Sequence, residues 1–135
     1  NLRKKTTTIL HDLGASFTSI IHHTARCKYA SIGLGTFIGP YVVLEANSTI
    51  ANHCCILSHS VVAHDSYVSD YCFLGHGSKL QGSVFLEEQV FMGAGSVILP
   101  GVRIGREALI GVNSTIISDV NTGYSMSAPI SKRVK

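Results

Sequence analysis

The chain has 135 residues, 45% of them hydrophobic and 14% charged, with a net charge of +3 at neutral pH. That balance excludes a disordered polymer and supplies enough apolar material for a single core. The basic residues gather at the two ends (Arg3, Lys4, Lys5 and Lys132, Arg133, Lys135) and form no continuous stripe, which speaks against a nucleic-acid partner.

The sequence begins at Asn1 and not at a methionine, and reads as part of something longer. Its opening, NLRKKTTTIL, has no apolar stretch of signal-peptide type, and no run approaches the ~18 residues of a membrane span. A cytoplasmic protein without a membrane partner is the expectation. Within residues 1–19, RKKTTTILHDLG predicts a helix ended by Gly14, and FTSII predicts a short strand leading onward.

From Ile20 a period of six takes over, and residues 20–121 can be written as seventeen hexads without an insertion. The first place is Ile, Leu, Val or Met in sixteen of them, the exception being Arg26; the fifth is Thr, Ala, Val, Ser or Cys in all seventeen. Six fits neither the helical ~3.6 nor an indefinite alternation, yet places five and one lie two apart across each hexad boundary and so share one side of a short strand. Each hexad is therefore a short strand plus a corner. Neither half buries its apolar face alone, so stacking of repeats must build the core, as in a parallel β-helix.

Four cysteines (Cys27, Cys54, Cys55, Cys72) lack metal-ligand spacing. Cys54 and Cys72 fall on inward fifth places, where Ser or Ala would also serve, and read as core thiols. Residues 122–135 leave the hexad pattern, and this segment with Pro129 is expected to fold back over the last coil or fray.

The hexads resemble those of the hexapeptide-repeat acyltransferases, whose left-handed parallel β-helix takes three hexads per coil. The resemblance implies an all-β left-handed solenoid of roughly five and a half coils, stacked about 4.8 Å apart. Residues 1–19 would be the remnant of an N-terminal Rossmann-like domain, 20–121 the acyltransferase domain and 122–135 a tail. An eighteen-residue coil then sets two corner columns: Ser58, His76, Ala94, Val112, and Ala46, His64, Gly82, Pro100. His59 and His64 stand on different corners, up to ~20 Å apart along a side of six residues, and cannot share one ion within one chain.

Within that family, VAHD at 62–65, MGAGS at 92–96, PGVRIG at 100–105 and IGVNS at 110–114 are similar to motifs of the sugar-nucleotide N-acetyltransferases of bacillosamine and perosamine type and of sialic-acid O-acetyltransferases. The resemblance implies an acetyl-CoA-dependent acetyltransferase acting on an amino or hydroxyl group of a nucleotide-activated sugar. It implies a homotrimer with its sites between subunits, and no metal. His64 becomes the general base and Asp65 its orienting carboxylate. Gly82, Ala94 and Val112 fall on the acetyl-CoA side, Gly82 offering its backbone N–H to the thioester carbonyl.

The chain also departs from the family pattern. Phe73 replaces a histidine that touches the acetyl group in some members, and Leu57-Ser58-His59 replaces Asn-Thr-Gly. We expect His76, with His59, to take over part of that contact from the neighbouring subunit, which places His76 on the cofactor side. The remaining histidines His11, His22, His23 and His53, and the pair Glu87-Glu88, read as surface residues, His22 having a structural role.

Two alternatives use the same fold. One is a γ-carbonic-anhydrase-like zinc enzyme, whose ligand spacing His59 and His64 imitate but for which residues near Phe37 supply no first ligand. The other is an inactive trimerising scaffold.

Overall fold

The computed structural model describes residues 2–128; Pro129, Lys132, Arg133 and Lys135 lie outside the described residues. Seventeen two-residue strands, those from Ser31–Ile32 to Thr115–Ile116 at hexad boundaries, line up as three parallel sheets of seven, five and five strands. Face one runs from Ile20–Ile21 through Cys55–Ile56 to Ser125–Met126, face two from Val43–Leu44 through Val61–Val62 to Thr115–Ile116, and face three from Ser31–Ile32 through Tyr67–Val68 to Arg103–Ile104. The chain visits them in the order one, two, three, so seven strands on face one span six turns of an all-β solenoid. Partners lie eighteen residues apart, as in Phe37↔Cys55 and Cys55↔Phe73.

The core is what the hexad pattern requires. First-place residues from Ile38 to Ile116 and fifth-place residues from Thr36 to Ser114 are buried, the largest among them being Ile50, Ile56, Leu74, Leu80, Met92 and Ile98. Small fifth-place side chains also satisfy backbone carbonyls that stacking would otherwise strand. Ser60 Oγ donates to Gly75 O at 3.0 Å and Ser66 Oγ to Gln81 O at 2.9 Å. The thiols do the same, Cys54 Sγ donating to Ser69 O and Cys72 Sγ to Glu87 O, each at 3.1 Å. Contact with Cys54 and then burial push the Cys72 thiol far above its ordinary pKa. All four cysteines are free thiols.

Corners demand a left-handed residue. Every fourth-place residue from Gly35 to Asn113 has φ between 54° and 74°, ten of them not glycine. Asn47, Asp65 and Asn113 suit that region because short polar side chains tolerate it.

The uninterrupted register is shorter than the hexads suggest. Ile20 pairs with Phe37, only seventeen residues on, and Arg26 bridges to Val43. The inward positions of the first coil are therefore Ile21 and Cys27, with Ala25, Cys27 and Ala30 packed against the core. Arg26, the one misfit of the hexad table, is exposed because it occupies an outward place. At the other end Val120 bridges to Ile104 and Ser125 pairs with Leu109, each sixteen residues apart. The segment after residue 121 thus adds one more strand to face one.

Helix α1 spans Leu2–Asp12. Gly14 at φ 82° closes it, with the Gly14 N–H donating to His11 O and the Ala15 N–H to Leu10 O, a Schellman motif. The expected strand over FTSII is only Ile20–Ile21. Helix α1 lies against the corner between faces three and one: Arg3 donates to His53 O at 2.8 Å, and Thr7 Oγ1 donates to Tyr71 Oη at 3.1 Å. His53, expected on the surface, is half-buried there between Phe17 and Tyr71.

Candidate active site

The corner between faces two and three carries Ala46, His64, Gly82 and Pro100 at successive third places, as the eighteen-residue coil predicts. His64 Nδ1 lies 2.8 Å from Asp65 Oδ2, and Asn47 Nδ2 donates to Asp65 Oδ1 at 3.1 Å from one coil below. These two contacts, His64 first, hold the Asp65 carboxyl below its ordinary pKa. A carboxylate on Nδ1 orients the ring and leaves Nε2 as the outward nitrogen. The backbone at Asp65 is left-handed, φ 58°, as at the other fourth places.

Gly82 sits directly against this ring. A Cβ on Gly82 would stand 2.6 Å from both Cε1 and Nε2 of His64, so a side chain there displaces the imidazole. The Gly82 N–H has no acceptor among the described residues, whereas the His64 N–H donates to Glu45 Oε2 at 3.1 Å and the Asn52 N–H to Asp70 Oδ1 at 2.7 Å. The corner therefore offers a basic nitrogen and an uncommitted backbone donor side by side.

Sequence inspection missed Glu45 and Asn47. Their signal was register: Asn47 stands eighteen residues before Asp65, hence one coil below it.

The other expected site residues form a second group. Ser58, His76, Ala94 and Val112 climb the corner between faces one and two, where Ser58 Oγ lies 2.7 Å from His76 Nδ1. Small residues flank the upper part of this ridge. A Cβ on Gly75 would meet Ala94 N at 2.6 Å and one on Gly93 would meet Val112 N at 2.5 Å, so the backbone of successive coils is in close contact. His59 turns instead toward Tyr41, their ring centres 5.1 Å apart. The structure thus brings together His64, Asp65 and Gly82, and separately His76, Ala94 and Val112, with face two between the groups. A cleft of about 320 Å³ at the C-terminal end, lined by Asn113–Ile116 and Met126–Ala128, includes neither group as a whole.

One more surface expectation changes. Glu87 is not a bare solvated side chain: it accepts from Arg103 Nη2 at 2.6 Å and from the Arg106 N–H at 2.8 Å, and Arg103 before Arg106 holds its carboxyl below the ordinary pKa. Phe73 stacks on Phe91 at 4.9 Å on face one and offers no polar atom to a ligand.

A three-sided parallel solenoid built from hexads defines a class of fold, the hexapeptide-repeat β-helix. A model of the bacterial transferase hexapeptide (six repeats) matches residues 29–64. Among solved structures the chain is similar to PerB from Caulobacter crescentus in complex with CoA and GDP-perosamine, at 30% identity and a TM-score of 0.92, over 94% of this chain and 62% of that one. It is similar also to a histidine-to-alanine mutant of GDP-perosamine N-acetyltransferase from the same organism, bound to the same two molecules, at 29% identity and a TM-score of 0.92, over 94% and 61%. The acetyltransferase domain of PglB from Neisseria gonorrhoeae, in complex with acetyl coenzyme A, shares the fold at 22% identity and a TM-score of 0.91, over 94% and 62%. The chain spans 61–62% of the length of these structures. No curated protein matches it by sequence. Among the described residues no helix is long and apolar enough to cross a membrane.

Proposed function

We propose that this chain is the β-helix portion of an acetyl-CoA-dependent acetyltransferase that acetylates an amino or hydroxyl group of a nucleotide-activated sugar. The observation that carries the proposal is the His64–Asp65 pair, 2.8 Å apart, with Gly82 against the ring. Asp65 accepts the Nδ1 proton, so Nε2 takes the proton from the acceptor N–H or O–H as it attacks the thioester carbon. Negative charge that builds on the carbonyl oxygen meets the Gly82 N–H. The proton held on His64 then passes to the CoA sulfur as the C–S bond breaks. His76, Ala94 and Val112 form the ridge along which acetyl-CoA lies, Ala94 and Val112 contributing backbone groups rather than side-chain chemistry. His64 is 60% exposed in its side chain, an open position for a base that works against substrate.

The two groups of site residues occupy different corners, so one complete site needs two chains. A homotrimer closed as a ring supplies three equivalent contacts of that kind. Likeness to structures bound to CoA and GDP-perosamine supports both the donor and the acceptor class. Residues 1–19 fit the end of a preceding Rossmann-like domain and 20–121 the catalytic domain, in a cytoplasmic enzyme. The zinc alternative is weaker: His59 faces Tyr41 on another corner, and the residues near Phe37 supply no first ligand.

The test is thiol release from acetyl-CoA by the full-length protein, with GDP- and UDP-linked 4-amino sugars and sialic-acid-type acceptors assayed in parallel. Acceptor-dependent release with one of these classes is expected. Absence of release with all of them, in protein of normal stability, would overturn the proposal.

A further inference from the structure

Along the corner between faces one and two the side chains change abruptly in size. Ser58, His59 and His76 are followed in the next coil by Gly93, Ala94 and Gly95. His76 is therefore the last ring-bearing third-place side chain on this corner, with the small residues Gly93, Ala94 and Gly95 in the coil above it, and it is exposed. Ser58 Oγ, one coil below, holds its Nδ1 at 2.7 Å. With Nδ1 occupied, Nε2 is the nitrogen left to face a ligand.

We propose that Ser58 and His76 act together as a hydrogen-bond donor to the thioester in acetyl transfer. In the tautomer with its proton on Nε2, Nδ1 accepts from the Ser58 O–H, and Nε2–H donates to the thioester carbonyl oxygen held at the next copy's His64. This rests on the acetyltransferase reading above. Within one chain face two lies between the His76 and His64 corners, so the pairing is one between copies. In a ring of copies whose axis runs along the solenoid, each residue keeps its own height. Ser58 shares a coil with His64, and His76 shares one with Gly82, so the two corners meet at matching levels.

Protons and bonds balance without a further reactant. The acceptor N–H or O–H gives its proton to His64 Nε2 while its N or O bonds to the acetyl carbon. The carbonyl oxygen, now negative, lies between the Gly82 N–H of one copy and His76 Nε2–H of the next. When the C–S bond breaks, sulfur takes the proton from His64, and His76 retains its own throughout. Ser58 touches no reacting atom and is a positioning residue.

Subunit mixing tests the idea. Removing one donor to a developing oxyanion costs about 10²-fold in kcat, so His76→Ala is expected to lose on that order with its KM for acetyl-CoA changed less than about 2-fold. Ser58→Ala should lose less, through kcat as well. Full-length His64→Ala and His76→Ala chains, refolded together, give about one contact in four with both histidines intact, from random pairing around a closed ring. Activity recovering toward a quarter of the unmutated rate is the expected result. No recovery above the two parents, or wild-type kcat in His76→Ala, would overturn this inference alone. Absence of thiol release by the unmutated protein would overturn the acetyltransferase reading and this inference with it.

Discussion

Replacing Gly82 by alanine isolates the base from the rest of the fold. The added Cβ would lie 2.6 Å from His64 Cε1 and Nε2. Ordinary carbon contacts begin near 3.5 Å, so the ring must retreat by about 1 Å. Gly82 is not among the residues with positive φ, so alanine fits its backbone and the obstacle is the exposed end of one side chain. Retreat of the ring weakens the 2.8 Å contact to Asp65 and moves Nε2 off the attack line. A misplacement of ~1 Å at a reacting group costs on the order of 10²-fold in rate. We therefore expect Gly82→Ala to lose about that much in kcat/KM for thiol release, while its denaturant midpoint shifts by less than the equivalent of about 1 kcal/mol. The double mutant with His64→Ala should be little worse than His64→Ala alone, since both changes act on one group. Gly75→Ala is the contrast: its Cβ meets the Ala94 backbone at 2.6 Å, so it should lower stability. Gly82→Ala turnover within 2-fold of wild type would refute the placement of the base.

Three further outcomes follow from the geometry. The Asp65 carboxyl is held below its ordinary value, so it stays ionised through mildly acidic pH, and the stability its partners lend is lost only as pH falls below the usual ~4 of an aspartate. A decline in rate between pH 7 and 5 therefore does not belong to Asp65, and Asp65→Asn should lower the plateau of the pH–rate profile while keeping its acid limb; a limb that vanishes would contradict this. Ile98→Ala, in the centre of the stack and fully buried, should cost about 2–5 kcal/mol in denaturant unfolding, against under about 0.5 for Ile117→Ala, which is 73% exposed. In native alkylation Cys27 and Cys55, half-buried, should react before Cys72, whose thiol is buried and raised in pKa; early labelling of Cys72 would refute its place in the core.

Most of the solenoid was legible because its repeat is carried by the two places that face the core. Residues such as Ile56 and Ser60 can be neither charged nor exchanged in size without opening the stack, and so the period survives in a single sequence. The ends were less legible. At the first coil Ile20 imitates the aliphatic first place although Ile21 occupies it, and Arg26 was the one sign of the slip. At the last coil Val120 fits a fifth place by type but bridges to Ile104, a first-place partner. The site divided in the same way. His64, Asp65 and Gly82 could be placed from coil arithmetic, and so could Asn47, eighteen residues before Asp65, whereas the contacts of Glu45 and of the Glu87–Arg103 pair depend on side-chain reach as well as on spacing. His53 was read as a surface residue because Phe17 and helix α1, which cover it, lie outside the hexads; Tyr71, eighteen residues on, is its neighbour in the next coil.

The most direct test of the central claim is the steady-state rate of CoA release by full-length His64→Ala beside the unmutated protein, with the acceptor that the unmutated protein uses. Loss of a general base costs about 10²–10⁴-fold, and His64 is exposed at a corner, so the predicted result is a loss in that range with an unchanged unfolding midpoint. Turnover within 2-fold of wild type would contradict it.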